Sequence, residues 1–283
     1  LGMWGFIGDE GVVQNVELAD VQVTGGAQIV GTLAGTNRGT ISNSSVTGVV
    51  SGGYRVGGMV GENNFGTVEY CSANVTVSAS NGRIGGLVGF NVGGTVYQSY
   101  TTANVSGGWY VGGVVGRNLQ GSVQQCYATG NINGSNSVGG LVGDTENGSI
   151  SNSYATSNAS GGMAVGGLIG YLWQTPVSNS FSTGSVGGGN FDHGGLVGYN
   201  FGGSVQNSYW NIETSGQTGS SGGVGRTTAQ MLDQANFVNW NFSETWSIHQ
   251  GVSYPWLQWQ GAAGGHNYPY GIPGDSNLSL IHI

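Results

Sequence analysis

Gly85-Gly86-Leu87-Val88-Gly89 is one copy of a five-residue phrase that recurs along most of the sequence. Successive copies begin 26 to 28 residues apart, and the first two are the weaker ones; the starts are Trp4, Gly31, Gly57, Gly85, Gly112, Gly139, Gly166 and Gly194. Self-similarity at a fixed period is typical of solenoids, in which each repeat is one coil that packs on its neighbours. The repeat therefore decides the architecture, but it carries no information about a ligand.

Composition limits the classes of partner. The 283 residues include 59 glycines without a strict G-X-Y period, which excludes collagen. Charged residues make up only 6% of the chain, lysine is absent, and the formal net charge is -8. Such a chain lacks the basic stripe that binds nucleic acids or anionic lipids, so we expect neither partner. The sequence also lacks a run of about 18 apolar residues, so we expect no membrane insertion.

One repeat predicts the shape of every coil. Residues 84–89 form a short apolar run, which indicates a buried strand, and residues 90–94 contain the Asn and Gly of a turn. Residues 95–100 and 103–106 indicate two further strands, separated by a corner at 101–102. The sequence therefore predicts an all-β fold, a single-stranded β-helix of about eight coils with three short strands each. Coils stack at the usual strand spacing of about 4.8 Å.

Equivalent positions of successive coils form rows of similar side chains. An apolar row predicts the core: Met59, Leu87, Val114, Leu141, Leu168 and Leu196. A second row is aromatic: Tyr100, Tyr127, Tyr154, Phe181 and Tyr209. Cys71 and Cys126 share a row of small residues but lie two coils, or about 9.6 Å, apart. A disulfide needs Cα atoms closer than about 7 Å, so we predict two free, buried thiols.

The sequence divides into four segments. Residues 1–221 are the repeats, and 222–260 are predicted to be a C-terminal cap because a solenoid end must be covered. A capping-box pattern at 227–230 predicts one short helix over 229–237, followed by many aromatic residues. Residues 261–277 are predicted to be a linker or the start of a further segment. Residues 278–283 match a translated sequencing adaptor, so we expect the native chain to continue beyond Asn277.

The repeat resembles the GLUG-motif family of bacterial surface proteins. The resemblance rests on the Gly-Leu-Val-Gly phrase at 86–89, 140–143 and 195–198, with the following N-x-G turn and Ser-Tyr, and it covers about residues 4 to 225. It departs at residues 171–176, which replace the Asn-Gly turn, and at His193. The family typically forms parts of large secreted or surface-anchored proteins, including adhesins and protease-associated chains. The resemblance thus implies an extracellular, adhesive or scaffolding role, with further domains as partners, and supplies no catalytic residues.

Charged residues offer little sign of catalysis. H-E-x-x-H, C-x-x-C, Walker A and G-x-S-x-G motifs are absent from the sequence. The adjacent pair Asp192-His193 has two interpretations, a general-base site beside Glu213 or Asp144, or a polar interruption at a coil corner, and we favour the second. Arg117 and Asp144 are predicted to form a surface ion pair, and Arg55 and Arg83 to be solvated. No catalytic residue, metal ligand or cofactor is predicted.

Aromatic residues supply the candidate binding site. We predict an exposed platform on equivalent turns of two neighbouring coils, with two amide side chains at its edge: Tyr171, Trp173, Tyr199 and Phe201, with Asn200 and Gln174. Exposed apolar patches of this kind tend to be interaction sites. The alternative is that the platform packs under the cap or under a neighbouring domain. A smaller patch at 109–110 is predicted on the opposite turn.

Three functions follow as hypotheses. The first is a non-catalytic extracellular segment of an adhesin, which acts as a rigid stalk and binds a glycan or a host or environmental surface protein. The second is a carbohydrate-active enzyme on a β-helix, which needs several acidic or basic residues on one face, whereas the acidic residues are scattered through the sequence. The third is an ice-binding solenoid, which needs regular Thr rows. Such a row begins at Thr40, Thr67 and Thr95 but is broken by Ser122, Ser149 and Pro176.

Overall fold

The computed structural model describes residues 1–26 and 28–262. It is an all-β solenoid of about eight coils, so the predicted fold class is confirmed. Within this described part, the strands of neighbouring coils pair in parallel, with one isolated antiparallel bridge between Asn64 and Gly93, and the one antiparallel strand pair lies in the C-terminal segment. The predicted tail at 278–283 and all but the first two residues of the predicted linker lie outside the described residues.

Two sheets contain one short strand from each coil. The strands of sheet A are Trp4–Ile7, Ala34–Asn37, Val60–Asn64, Val88–Val92, Val115–Leu119, Val142–Glu146, Ile169–Trp173 and Val197–Phe201. The strands of sheet B are Val12–Gln14, Thr40–Ser42, Thr67–Glu69, Thr95–Tyr97, Ser122–Gln124, Ser149–Ser151, Pro176–Ser178 and Ser204–Gln206. Because each strand pairs with the equivalent residues of the next coil, a sequence position becomes a straight row on the surface or in the core.

Sheet C forms the third wall and the corner that leads back to sheet A. Its strands are Glu17–Thr24, Ile29–Val30, Ser45–Gly52, Arg55–Gly57, Ser72–Ala79, Ile84–Gly85, Tyr100–Thr101, Asn104–Ser106, Trp109–Gly112, Tyr127–Ala128, Asn131–Asn133, Asn136–Gly139, Tyr154–Ala155, Asn158–Gly166, Phe181–Ser182, Val186–Gly194, Tyr209–Asn211 and Val224–Arg226. A coil therefore has three walls as predicted, but the third wall is divided into several short strands.

The repeated phrase is a bend and not a continuous strand, which corrects the prediction for residues 84–89. Ile84–Gly85 ends on sheet C, and Val88–Val92 begins on sheet A. At the bend, a Cβ atom on Gly86 would lie 2.1 Å from the carbonyl oxygen of Gly113 in the next coil. Only glycine permits this approach of two backbones.

The turn predicted at 90–94 is also wrong, because residues 90–92 continue the strand of sheet A. The Asn of this segment points inward, where its amide joins a ladder along the coils. Asn63 Nδ2 donates to Asn91 Oδ1 at 2.8 Å, and Asn91 Nδ2 donates to Asn118 Oδ1 at 2.7 Å. Asn91 Nδ2 also donates to the carbonyl oxygen of Gly94, at 3.0 Å. The bond to Gly94 closes the following turn from within the core. The two kinds of bond together give the buried amide the partners that buried polar groups require.

The interior of the coil is a filled apolar core. All six residues of the predicted leucine-like row are fully buried. Cys71 and Cys126 are free and buried as predicted, and burial raises the pKa of each thiol to about 12. These thiols therefore act as packing residues and not as nucleophiles.

The last coil is covered by residues just beyond it. Ser220 Oγ accepts hydrogen bonds from the backbone N–H groups of Leu196 and Val197, at 3.2 and 2.9 Å. Val224–Arg226 pairs with Tyr209–Asn211, and the helix Ile212–Ser215 connects them. Residues 219–226 thus satisfy backbone groups of the last coil.

Residues 227–262, which we call the C-terminal strap, lie along the side of the solenoid. They pack on the aromatic row that runs from Tyr100 to Tyr209. The predicted single helix is two shorter ones, Thr228–Met231 and the 3-10 helix Gln234–Asn236, because Asp233 leaves the helical conformation and caps the second. The strap also contains the strands Trp246–Ser247 and Trp256–Leu257 and the helix Trp259–Ala262. The predicted capping box, Thr227 with Gln230, is present.

Candidate functional site: a groove beside sheet A

The predicted aromatic platform lies on strands and not on turns, which corrects the sequence interpretation. Ile169–Trp173 and Val197–Phe201 are neighbouring strands of sheet A, and their outward side chains pair in register. The ring centroids of Tyr171 and Tyr199 are 5.1 Å apart, and those of Trp173 and Phe201 are 4.3 Å apart. In-register pairing of parallel strands therefore stacks the rings into a continuous surface.

This platform faces solvent. The aromatic row under the strap is a different one, in which successive rings stack 4.8 to 5.1 Å apart with interplanar angles of 4 to 5°. Tyr171, Trp173 and Tyr199 are partly exposed, and Phe201 is 46% exposed. The alternative prediction, a platform packed under the C-terminal segment, is wrong within the described residues, because that segment lies on the other row.

The platform is one wall of a cavity of about 600 Å³. Trp109 and Tyr110 form the opposite wall, so the prediction that they lie on a separate turn is wrong. Charged side chains lie in the same cavity. We define the groove by its aromatic and charged residues: Trp109, Tyr110, Arg117, Asp144, Glu146, Tyr171, Trp173, Asp192 and Tyr199. Its size is in the range of small-molecule sites, which are about 300–1,000 Å³.

Arg117 and Asp144 pair in register, but the pair is largely buried and is not the predicted surface ion pair. Arg117 Nε lies 2.9 Å from Asp144 Oδ1, and the Asp144 side chain is only 8% exposed. Arg117 Nη2 lies 2.5 Å from Glu146 Oε2. Burial raises the pKa of Asp144 to about 6, against the opposing effect of the Arg117 charge. One guanidinium thus holds two carboxylates at the floor of the groove.

The other predicted charged sites differ from expectation. Arg55 and Arg83 are partly buried and not solvated, because Arg55 pairs with Glu62 and Arg83 lies over the rings of Tyr54 and Phe90. Burial lowers the pKa of Arg83. A guanidinium over an aromatic face is favoured by the ring quadrupole.

Asp192 and His193 point to opposite sides of their strand. Asp192 is exposed and lines the groove, whereas His193 pairs with Val165 in a row whose other members are buried valines and Ile84. Glu213, the other residue of the hypothetical general-base site, accepts a hydrogen bond from the Thr228 N–H at 2.9 Å. These residues therefore do not form a catalytic pair.

Two predicted site residues do not line the groove. Asn200 Nδ2 donates to the carbonyl oxygens of Gly203 and Ser221, both at 3.1 Å, so its amide closes a turn and is not offered at the platform edge. Gln174 is exposed beyond the strand end, with a φ of +43°. Phe201 extends the platform but is not part of the cavity lining.

Sequence reasoning missed the charged floor and the second wall. The signal that could have found them is a spacing of seven residues across the glycine bend. Arg55 pairs with Glu62, Arg83 lies over Phe90, and Arg117 lies over Tyr110. Applied to later coils, the same spacing places Asp192 beside Tyr199 and therefore closes the groove around the platform.

Two negative observations concern the described part of the chain. Residues 1–26 and 28–262 contain no group of three or more His, Cys, Asp or Glu side chains that could hold a metal ion. No helix in this part is long and apolar enough to cross a membrane.

The fold and its repeat define a β-solenoid. The family model described as "The GLUG motif" matches residues 52–78, 107–133, 134–160 and 161–187. The chain therefore contains four GLUG motifs, and the resemblance seen in the sequence is confirmed. The chain matches no curated protein at a significant level.

Two solved structures are similar to this chain. One is a crystal structure of a "putative immunoglobulin A1 protease" from Bacteroides ovatus, with a TM-score of 0.50 at 22% identity, over 89% of this chain and 76% of that one. Another, named IgA1 Protease, has a TM-score of 0.47 at 20% identity, over 87% of this chain and 19% of that one. At such identities, similarity to the first structure supports the β-solenoid architecture alone.

Proposed function

We propose that this chain is a non-catalytic, saccharide-binding segment of an extracellular or cell-surface β-solenoid protein. The observation that carries the proposal is the groove, which combines stacked aromatic faces with charged side chains in a cavity of about 600 Å³. A concave site with mostly aromatic walls and a few convergent polar groups is the usual form of a ligand site.

The groove chemistry suits a sugar ring. Tyr171 and Trp173 lie on one strand with nearly parallel ring planes, at an interplanar angle of 17°, and such aromatic faces can cover the apolar C–H face of a pyranose. The carboxylates of Glu146 and Asp192 can accept hydrogen bonds from hydroxyl groups at the edge of that ring. A single flat side chain would be enough to contact a side chain of an extended peptide, whereas this groove presents several aromatic rings together with carboxylates. We therefore favour a saccharide over an extended peptide.

The rest of the solenoid supplies rigidity. Every coil is joined to the next by parallel backbone pairing, and the GLUG motif implies a secreted or surface location. We propose that the repeats hold the groove at a fixed distance from further domains of a longer chain, as a stalk does in an adhesin. Its partner would then be a glycan of a host or environmental surface.

Glycan-array binding of the full chain tests the proposal. The double variant Tyr171→Ala, Tyr199→Ala removes the stacked faces, and we expect it to lose at least about tenfold in affinity, because each buried aromatic contact contributes on the order of 1 kcal/mol or more. The matched control is Tyr70→Ala, Tyr97→Ala, which removes an aromatic pair with centroids 5.8 Å apart outside the groove.

The control variant should bind like the wild type. Equal binding by the groove variant and the wild type, or no binding of any glycan by the wild type, would contradict the proposal. Loss of binding in both double variants would indicate a general effect on the fold, which circular dichroism of each variant identifies.

A second candidate is cleavage of a saccharide. It is favoured by the pair of carboxylates at the groove floor, since a pKa of about 6 for Asp144 is suitable for a proton donor. Glycoside hydrolysis requires two carboxyl groups on either side of the scissile bond, whereas here Asp144 and Glu146 share one arginine on the same wall. Release of reducing sugar by the wild type, and its loss in Asp144→Asn, would establish this activity.

The names of the similar structures raise proteolysis as a further possibility for this chain. The sequence lacks the H-E-x-x-H and G-x-S-x-G motifs, and both thiols are buried with raised pKa values. We therefore propose a binding role for the described segment. Incubation with human IgA1, followed by electrophoresis, tests this directly, since a cleaved heavy chain would contradict a non-catalytic role.

A further inference from the structure

We propose that the groove selects an amine-bearing, cationic saccharide over neutral and anionic ones. The inference rests on the proposed saccharide-binding function and names the class of sugar. It is carried by the distribution of charge and of aromatic rings along the outer face of sheet A.

The groove contains more negative than positive charge. Its lining includes the carboxylates of Asp144, Glu146 and Asp192 against the single guanidinium of Arg117. Arg117 is already engaged by Asp144 and Glu146. Within the described part of the chain, Asp192 has no ion-pair partner, and its side chain is exposed at the groove. A ligand that enters therefore meets uncompensated negative charge.

The aromatic rings of the preceding coils already hold cations. Arg55 and Arg83 lie 5.3 and 4.3 Å from the ring centroid of Phe90, and Arg117 lies 5.3 Å from that of Tyr110. These distances are within the range of about 6 Å for an energetically significant cation–π contact. The outer face of the solenoid is thus built to place a positive charge against an aromatic face.

This pattern changes at the groove. Among the described residues, Tyr171, Trp173 and Tyr199 have no guanidinium over their rings, and the sequence offers no arginine between Arg117 and Arg226 and no lysine. The rings remain, the carboxylates are added, and the cation is missing. A protonated amine on a bound sugar would occupy the position that an arginine has in the earlier coils.

Long-range electrostatics favour the same ligand. The chain has a formal net charge of -8, so a cationic saccharide is attracted and an anionic one is repelled before contact. Asp144 is the most buried carboxyl of the groove, whereas Glu146 and Asp192 are more exposed and can reach an amine at the mouth.

Calorimetric titration of the full chain with two matched probes tests the inference. The probes are the β-1,4-linked tetramer of glucosamine and the same tetramer with every amine acetylated, at about pH 5.5, where the sugar amines are mostly protonated and exposed carboxylates remain ionised. We expect the free-amine tetramer to bind more tightly, and its affinity to fall as salt concentration rises. A tetramer of galacturonic acid should not bind.

The variant Asp192→Asn removes one carboxylate and should weaken binding of the free-amine tetramer about two- to fivefold, the range of an exposed ion pair. Its effect on binding of the acetylated tetramer should be smaller, because asparagine keeps an oxygen that can accept a hydrogen bond from a hydroxyl group. The matched control is Asp20→Asn, because Asp20 is also exposed and also has a positive φ, 51° against 56° for Asp192. Asparagine tolerates that conformation, so both variants should fold.

Each outcome separates the two proposals. Equal affinity for the two tetramers, or an unchanged affinity of Asp192→Asn for the free-amine tetramer, would overturn the charge selection and leave saccharide binding intact. A second result would also overturn the charge selection alone: neither tetramer binds, but a neutral glycan on the array binds the wild type and does not bind the variant Tyr171→Ala, Tyr199→Ala. Absence of binding to every glycan would overturn both proposals.

Discussion

Residues seven positions apart meet on the outer surface of this solenoid because the chain bends at the glycine phrase between them. In three successive coils the pair is Arg55 with Glu62, Arg83 with Phe90, and Tyr110 with Arg117. Each pair joins sheet C to sheet A across the corner. The identities at these two positions therefore determine whether a coil presents an ion pair, a cation over a ring, or an open aromatic face.

The pKa of Asp144 gives a prediction at the same scale. Burial raises this pKa from 3.8 to about 6. A carboxyl with a higher pKa in the folded state disfavours folding once it is ionised, so its contribution to the free energy of unfolding falls as pH rises from about 4 to about 6. Asp144→Asn removes this dependence. As pH falls from 7 to 4, we expect the free energy of unfolding of the wild type to rise relative to that of the variant by on the order of 2 kcal/mol.

Urea unfolding at a series of pH values measures this difference. Asp20→Asn, which changes an exposed aspartate outside the groove, provides the baseline for the loss of a carboxylate. A difference between wild type and Asp144→Asn that stays constant across this pH range would show that the pKa of Asp144 is the same in the folded and unfolded states. A shift in favour of the variant as pH falls would show that Arg117 holds Asp144 ionised.

At the scale of elements, the strap and the aromatic row depend on each other. Trp246 is fully buried, with its ring centroid 4.3 Å from that of Trp240 and 5.9 Å from that of Phe181. Trp259 Nε1 donates to the carbonyl oxygen of Gln125 at 3.1 Å, so the strap reaches back several coils. Without the strap, a stack of rings would be exposed along one side of the solenoid, which is a liability for association.

Replacement of Trp246 with alanine should loosen the strap. Truncation of a buried tryptophan costs about 3–5 kcal/mol, and here most of the lost contacts join the strap to the row. In limited proteolysis we expect cleavage within 227–262 to become faster, while the repeats before residue 219 remain protected. Trp109→Ala is the control, because Trp109 is 60% exposed and should leave the cleavage rate unchanged. Equal protection of Trp246→Ala and wild type would mean that the strap is held by other contacts.

At the scale of the whole molecule, periodicity predicted the architecture well. The position of Leu87 within each repeat fixed the core, since a row of equivalent residues must stack when coils pair in register. Periodicity failed where one residue type serves two purposes. Asparagine is typical of turns, yet Asn91 lies in a strand because its amide can donate a hydrogen bond to Asn118 inside the core.

The groove was harder to predict than the platform. Tyr171 and Tyr199 could be placed together because they occupy equivalent positions of neighbouring coils. Trp109 could not be placed, because its approach depends on the angle of the bend at the glycine phrase, whereas the spacing of seven residues across that bend would have placed Asp192 beside Tyr199. The location of the strap was unpredictable for a related reason, since the aromatic row and the solenoid end were both apolar surfaces in need of cover.

A crystal structure of the full chain with its tightest-binding saccharide tests the central claim most directly. The account predicts one sugar ring stacked on Tyr171 and Trp173, with Trp109 on the opposite side and a polar group of the sugar within hydrogen-bond distance of Asp192. A saccharide bound instead on sheet B, on the strap or at an end of the solenoid would contradict the account.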